Sequence, residues 1–99
     1  MRQPEALLLH EKDNVAVAIV DLAAGHVVPL LGPRRDQELT LLDDIPFGHK
    51  FALADIAAGA PLIKYGQIMG LATRPITRGE HVHVHNVESR RGRGDRGGG

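Results

Sequence analysis

Cysteine is absent from the 99 residues, which removes disulfides, thiolate nucleophiles and thiolate metal sites together. Any metal must therefore take imidazole, carboxylate or neutral oxygen ligands. Aromatics are nearly absent as well, with two Phe, one Tyr and no Trp. The core has to come from Val, Ile, Leu and Ala, and the ring platforms on which sugars stack are scarce. Long apolar runs are missing too: "MRQPEALLLHEKDN" holds four consecutive apolar residues before His10, short of a secretory h-region or a membrane span. A cytoplasmic protein with no membrane partner is the expectation.

Formal charge is zero, but it is unevenly placed. The last ten residues, "RRGRGDRGGG", carry four Arg and one Asp, which leaves eight basic against eleven acidic residues in the remainder. Phosphate recognition needs clustered Lys and Arg on one face, so no nucleic-acid partner is expected of this body. With nothing apolar to bury, residues 90–99 are expected to be a flexible Arg/Gly tail on a single domain at 1–89, and the "RGD" inside the tail reads as chance.

What is present is turn chemistry. "NVAVAIVDL" reads as a buried strand over Val15–Val20, and "VVPLLGPRRDQELTLLDD" as a hairpin with a polar tip. A short pattern then recurs four times, as "DLAAGHVV", "DIPFGHKF", "DIAAGAPL" and "PITRGEHV", each with Leu or Ile three residues before Gly. The aliphatic residue plugs into a core, the chain turns, and Gly25, Gly48, Gly59 or Gly79 takes a positive φ. The spacing of these glycines is too irregular for a solenoid, so one turn-dense β domain follows. "DIAAGA" also permits one or two helical turns, since Asp caps well and Ala propagates.

Candidate chemistry lies in four places. "EHVHVHN" read as a strand puts His81, His83 and His85 on one face and Val82, Val84 and Asn86 on the other, a pattern equally that of a solvated strand face. Alternate side chains on a strand stand roughly 6.6 to 7 Å apart, so at most two of the three would share a ligand. "GHK" sets His49 and Lys50 directly after a turn glycine, where free backbone N–H groups can face an anion. "IKYG" offers Lys64 and Tyr65, with an edge lysine as the plainer alternative. "HEKDN" offers His10, Asp13 and Asn14, where capping of the local backbone is the simpler role. No Ser-His-Asp set, phosphate-cradling Gly loop or catalytic carboxylate pair appears by spacing.

Taken in order, "DNVAVA", "GHKFAL", "DIAAG", "IKYG" and "GEHVHVHN" resemble the N-terminal SAF domain of the altronate and galactarate dehydratase family, over roughly His10 to Arg91. The resemblance implies a mostly β, β-clip (SAF, antifreeze-like) domain of short, sharply turned strands. It implies a hydro-lyase that removes water from an aldonic or aldaric acid to give a 2-keto-3-deoxy acid. It also implies a separate large catalytic subunit, and a divalent metal, Fe²⁺ or Mn²⁺, held mainly by that subunit. On this reading His49, Lys50, Lys64 and His85 are the catalytic residues, Asn14, Tyr65 and Asn86 bind substrate, and His83 and His85 ligate metal. A sulfolactate sulfo-lyase small subunit shares the "GHK", "IKYG" and "HVHN"-like segments. A non-catalytic carbohydrate-binding or assembly module is the alternative from another class, and a homodimer through edge strands is compatible with either.

Overall fold

The computed structural model describes residues 4–8, 10–30 and 38–89. Nine short strands make up these residues: β1 Ala6–Leu7, β2 Val15–Ala18, β3 Val27–Pro29, β4 Glu38–Thr40, β5 Lys50–Ala52, β6 Pro61–Lys64, β7 Gln67–Ala72, β8 His81–Val82 and β9 Val87–Ser89. Every pairing is antiparallel, in sheets ordered β1-β2-β5-β8, β3-β4 and β6-β7-β9. The hairpin expected after Val27 is β3-β4, although its tip falls outside the described residues, as does the 90–99 tail. There is no helix among the described residues, so none crosses a membrane. The helical turns expected at "DIAAGA" are replaced by a tight turn, because Gly59 leaves the helical region at φ +83°.

All four repeated turns form, and they lock together in two pairs. Leu22 and Ile45 exchange backbone N–H···O bonds of 2.9 and 2.8 Å, and Ile56 and Ile76 exchange two of 2.8 Å. All four aliphatic side chains are buried. Each turn glycine also donates to the chain leading into its partner turn: Gly25 to Leu41 O, Gly48 to Ala18 O, Gly59 to Ala72 O and Gly79 to Ala52 O. In every case the accepting residue lies four positions before the partner's aliphatic plug, which gives the two pairs the same internal symmetry. The aspartates that open the turns reinforce them. Asp21 accepts from Phe47 N, Asp44 from Ala24 N, and Asp55 from Arg78 N, all at 2.8–2.9 Å. Pro75 stands where a fourth aspartate would complete the set.

The buried strand expected over Val15–Val20 ends at Ala18, with Val20 43% exposed, and is uncharged because both of its faces are covered. Ala16 and Ala18 belong to a cluster with Leu8, Leu22, Val28, Leu39, Leu41, Ile45 and Phe51. Val15 faces the opposite cluster of Ala52, Ile56, Leu62, Ala72, Ile76 and Val82. Consecutive side chains of a strand point to opposite sides, so β2 and β5 separate two small cores. Phe51, fully buried, supplies the only aromatic in either cluster.

Gly25 and Gly79 adopt nearly the same φ, +86° and +89°, in different surroundings. A Cβ at Gly25 would meet nothing within 4 Å, whereas one at Gly79 would lie 2.5 Å from Thr40 O. Gly25→Ala is expected to cost about 1–3 kcal/mol, from backbone strain alone. Gly79→Ala should cost more, because the Thr40 carbonyl must also move. Urea unfolding of both variants tests this, and equal losses would remove the close approach at Gly79 as a constraint.

Candidate functional site

Two of the turn glycines aim histidines at one another. Gly48 ends its turn immediately before His49, and Gly79 ends its turn two residues before His81. β5 and β8 pair so that Phe51 faces His81 and Lys50 faces Val82. His49 Nδ1 and His81 Nε2 lie 2.9 Å apart, close enough to share a hydrogen.

The strand expected over 81–86 ends at Val82. Residues 83–86 form a turn, closed by Asn86 N donating to His83 O at 3.1 Å. The alternation that put Val84 and Asn86 on a common face is therefore overturned: Val84 is 81% exposed and Asn86 is fully buried. The cause is Asn86 itself. Its Oδ1 accepts from His83 N at 3.0 Å, and its Nδ2 donates to His81 O at 2.8 Å and to Glu80 at 3.3 Å. A buried amide that satisfies the backbone in this way favours a turn over continued strand.

The turn folds His83 back over His49, with ring centroids 4.3 Å apart. The His49–His81 and His81–His83 centroids are 5.1 and 5.6 Å apart, and the nearest ring nitrogens of all three lie within 4.8 Å of one another. Imidazole nitrogens suit a borderline divalent ion such as Fe²⁺ better than Mn²⁺, which favours oxygen ligands. His85 stands outside this group, tilted against His81 at 5.3 Å. Partial burial holds the His81 pKa below the usual imidazole range, and the neighbouring His49, His85 and His83 add to that while Asp43 opposes it. Asp43 also accepts from the His81 backbone N–H at 2.9 Å.

Lys50 projects on the other side of β5 from Phe51, into a cleft of about 290 Å³ that it shares with Lys64, His83, Met69 and Val84. Burial lowers the Lys50 pKa, and the Lys64 ammonium lowers it further. His83 is thus common to the imidazole group and the lysine cleft. A second, more polar recess of about 610 Å³ holds Asp43, Arg74, Glu80, His81 and His85.

The "HEKDN" segment supports the cleft. Asn14 Oδ1 accepts from Ile63 N at 2.7 Å, and its Nδ2 donates to Pro61 O at 3.0 Å, where β6 is irregular in register. Asp13, buried, accepts from Gly66 N at 2.8 Å. Together they fix the two-residue Tyr65-Gly66 turn, where both residues have positive φ. Lys64 Nζ then rests 4.7 Å from the Tyr65 ring, which is itself half exposed. The structure thus gathers His49, Lys50, Lys64 and His83, places Tyr65 against Lys64 and His85 in the recess, and turns the amides of Asn14 and Asn86 toward backbone. His81 was read from the sequence as one of three alternating histidines, whereas Asp43 and Arg74 were not singled out.

Residues 4–90 match the family model described as the altronate/galactarate dehydratase SAF domain. The chain is 49% identical over 81 residues to altronate dehydratase of Escherichia coli K12, covering 82% of this chain and 16% of that protein. It is 41% identical over 90 residues to the (2R)-sulfolactate sulfo-lyase subunit alpha of Chromohalobacter salexigens, covering 85% of this chain and 94% of that subunit. It is also 41% identical over 76 residues to galactarate dehydratase (L-threo-forming) of Escherichia coli K12, covering 75% of this chain and 13% of that protein. The chain therefore spans about a sixth or less of the dehydratases it matches, and almost all of a sulfo-lyase alpha subunit. It belongs to the altronate/galactarate dehydratase SAF domain family.

Proposed function

We propose that the chain is the small, substrate-contacting part of a sugar-acid lyase and that it acts with a larger catalytic region on a separate subunit. The observation that carries this reading is the open cleft where Lys50, Lys64 and His83 meet. Two cations with no carboxylate among the cleft's lining residues suit a carboxylate-bearing substrate. Loss of the proton α to that carboxylate produces an enediolate, and a nearby ammonium lowers the cost of its extra charge. Departure of the β-hydroxyl as water leaves an enol, which rearranges to the 2-keto-3-deoxy acid. His49, His83 and His85 then bond the sugar hydroxyls or hold the proton that leaves with the β-oxygen. Tyr65 closes the rim, and Asn14 and Asn86 keep Lys64 and His83 in place.

An Fe²⁺ or Mn²⁺ ion belongs to this reading, polarising the carboxylate and with its ligands mainly on the larger region. The cleft rim supports the need for that region. Met69 is 49% exposed and Val84 81% exposed beside it, so apolar surface surrounds a site that lacks a complete catalytic set. A cytoplasmic setting follows from the same metabolic role.

A second reading keeps the site and changes the leaving group. The match to 94% of a sulfo-lyase alpha subunit favours sulfite departing from a sulfolactate β-carbon.

Assay of the chain, the larger subunit and their mixture on altronate, galactarate and sulfolactate separates these readings by product. Turnover is expected only in the mixture, and a chain that binds no such subunit would instead be a binding or assembly module. Within the mixture, Lys64→Met keeps the apolar stem and removes the charge. It is expected to lower kcat/KM about tenfold or more, corresponding to roughly 1.4 kcal/mol of transition-state stabilisation. Unchanged kcat/KM in Lys64→Met and Lys50→Met would remove the lysine cleft from the reaction.

A further inference from the structure

Outside the lysine cleft, the strongest unassigned feature is the imidazole group. His49 comes from the residue just before β5, His81 from β8 and His83 from the turn that follows. Three separate backbone positions thus converge on one point at the sheet end, with ring nitrogens within 4.8 Å. Ligands at right angles on an ion with bonds of about 2.1 Å stand about 3.0 Å apart, and opposed ligands about 4.2 Å apart. The 2.9 Å between His49 Nδ1 and His81 Nε2 already has the right-angle spacing. The three rings are stacked, with 10–24° between their planes, so closing the remaining gap takes a turn of His83, an exposed side chain whose torsions are free to supply it.

We propose that His49, His81 and His83 form a divalent transition-metal site that this chain carries by itself, taking borderline ions such as Fe²⁺, Co²⁺, Ni²⁺ or Zn²⁺ on three nitrogens. The support beneath the ligands is of the kind such sites use. Buried Asn86 ties His81 O and His83 N together through one amide, and Asp43 holds the His81 backbone from the other side. Three protein ligands leave the remaining coordination positions open to water or a substrate oxygen. His83 reaches the cleft that holds Lys50 and Lys64, so an ion here would lie beside whatever those lysines bind. The site rests on imidazole geometry and stands whether or not the lyase reading does. It differs from the ligand pair expected from the sequence, because His85 is replaced by His49 and His81.

The test is titration of the full chain with Co²⁺ and Ni²⁺, read by calorimetry and by the visible absorption of bound Co²⁺, with Mg²⁺ as the oxygen-preferring control. Binding of a single Co²⁺ per chain is expected, with none of Mg²⁺. His83→Ala and His49→Ala should each weaken Co²⁺ binding about tenfold or more, while His85→Ala leaves it within about threefold. Circular dichroism of each variant guards against loss of fold, and His83 is the cleanest substitution because its side chain is exposed. Absence of saturable Co²⁺ binding would overturn the proposal. So would a pattern in which His85→Ala weakens binding and His49→Ala does not, which would return the ligands to the His83–His85 row. Neither result depends on turnover, so a failed lyase assay and a failed metal site remain distinct outcomes.

Discussion

The structure depends on the paired turn, in which an aliphatic residue is buried, a glycine reverses the chain, and the glycine N–H bonds to the strand entering the partner turn. With so few aromatics and no disulfide, the chain has little else to hold short strands together. Strands of two to six residues provide few ladder hydrogen bonds each. Reciprocal bonding between Leu22 and Ile45, and between Ile56 and Ile76, supplies cross-links where the ladders stop. The same turns decide where side chains emerge. A residue just after a turn glycine starts a new strand at a fixed point, which is why His49 and His81 arrive side by side.

The two-faced central sheet sets the second constraint. Because β2 and β5 are covered on both sides, only the sheet end and the β6-β7 hairpin leave room for polar groups near the core. Lys50 sits there at a cost: its ammonium is partly desolvated and faces another ammonium. Such an arrangement lowers the stability of the charged form unless an anion joins it. On the adjoining side, partial burial makes His81 less readily protonated, and its histidine neighbours add to that. The lysine half of the site is therefore an unfavourable place for bare positive charge, which suits binding an anion there.

Much of the fold was legible in the sequence because turn chemistry is local. The Leu or Ile placed three residues before Gly predicted four turns, and the four glycines have φ between +83° and +89°. The strand at Val15 and the β3-β4 hairpin were readable from alternation for the same reason. The pairing of the turns was not readable, because nothing local in residues 22 and 45 says that they face each other. The site was readable by residue type and less so by geometry. Alternation in "HVHVHN" suggested one long strand, and the buried Asn86 amide overrode it through contacts that pattern alone does not show. For Asn14 the residue pattern favoured a backbone role while the resemblance put it among the substrate-binding residues; its amide bonds the irregular backbone of β6.

The break at His83 changes what the histidines can do. In a continuous strand they would form a row whose spacing prevents three nitrogens from reaching one ion. The turn brings the His83 ring to 4.3 Å from that of His49, and it does so beside Lys50 rather than on the far face. One side chain then belongs to both the nitrogen cluster and the cationic cleft. A carboxylate held by Lys50 and Lys64 would have its neighbouring hydroxyls within the range of imidazole or metal on the same edge of the domain. The edge remains open to solvent and flanked by exposed Met69 and Val84. A site built in this way can orient charge on a substrate, while the walls that exclude water have to come from another surface.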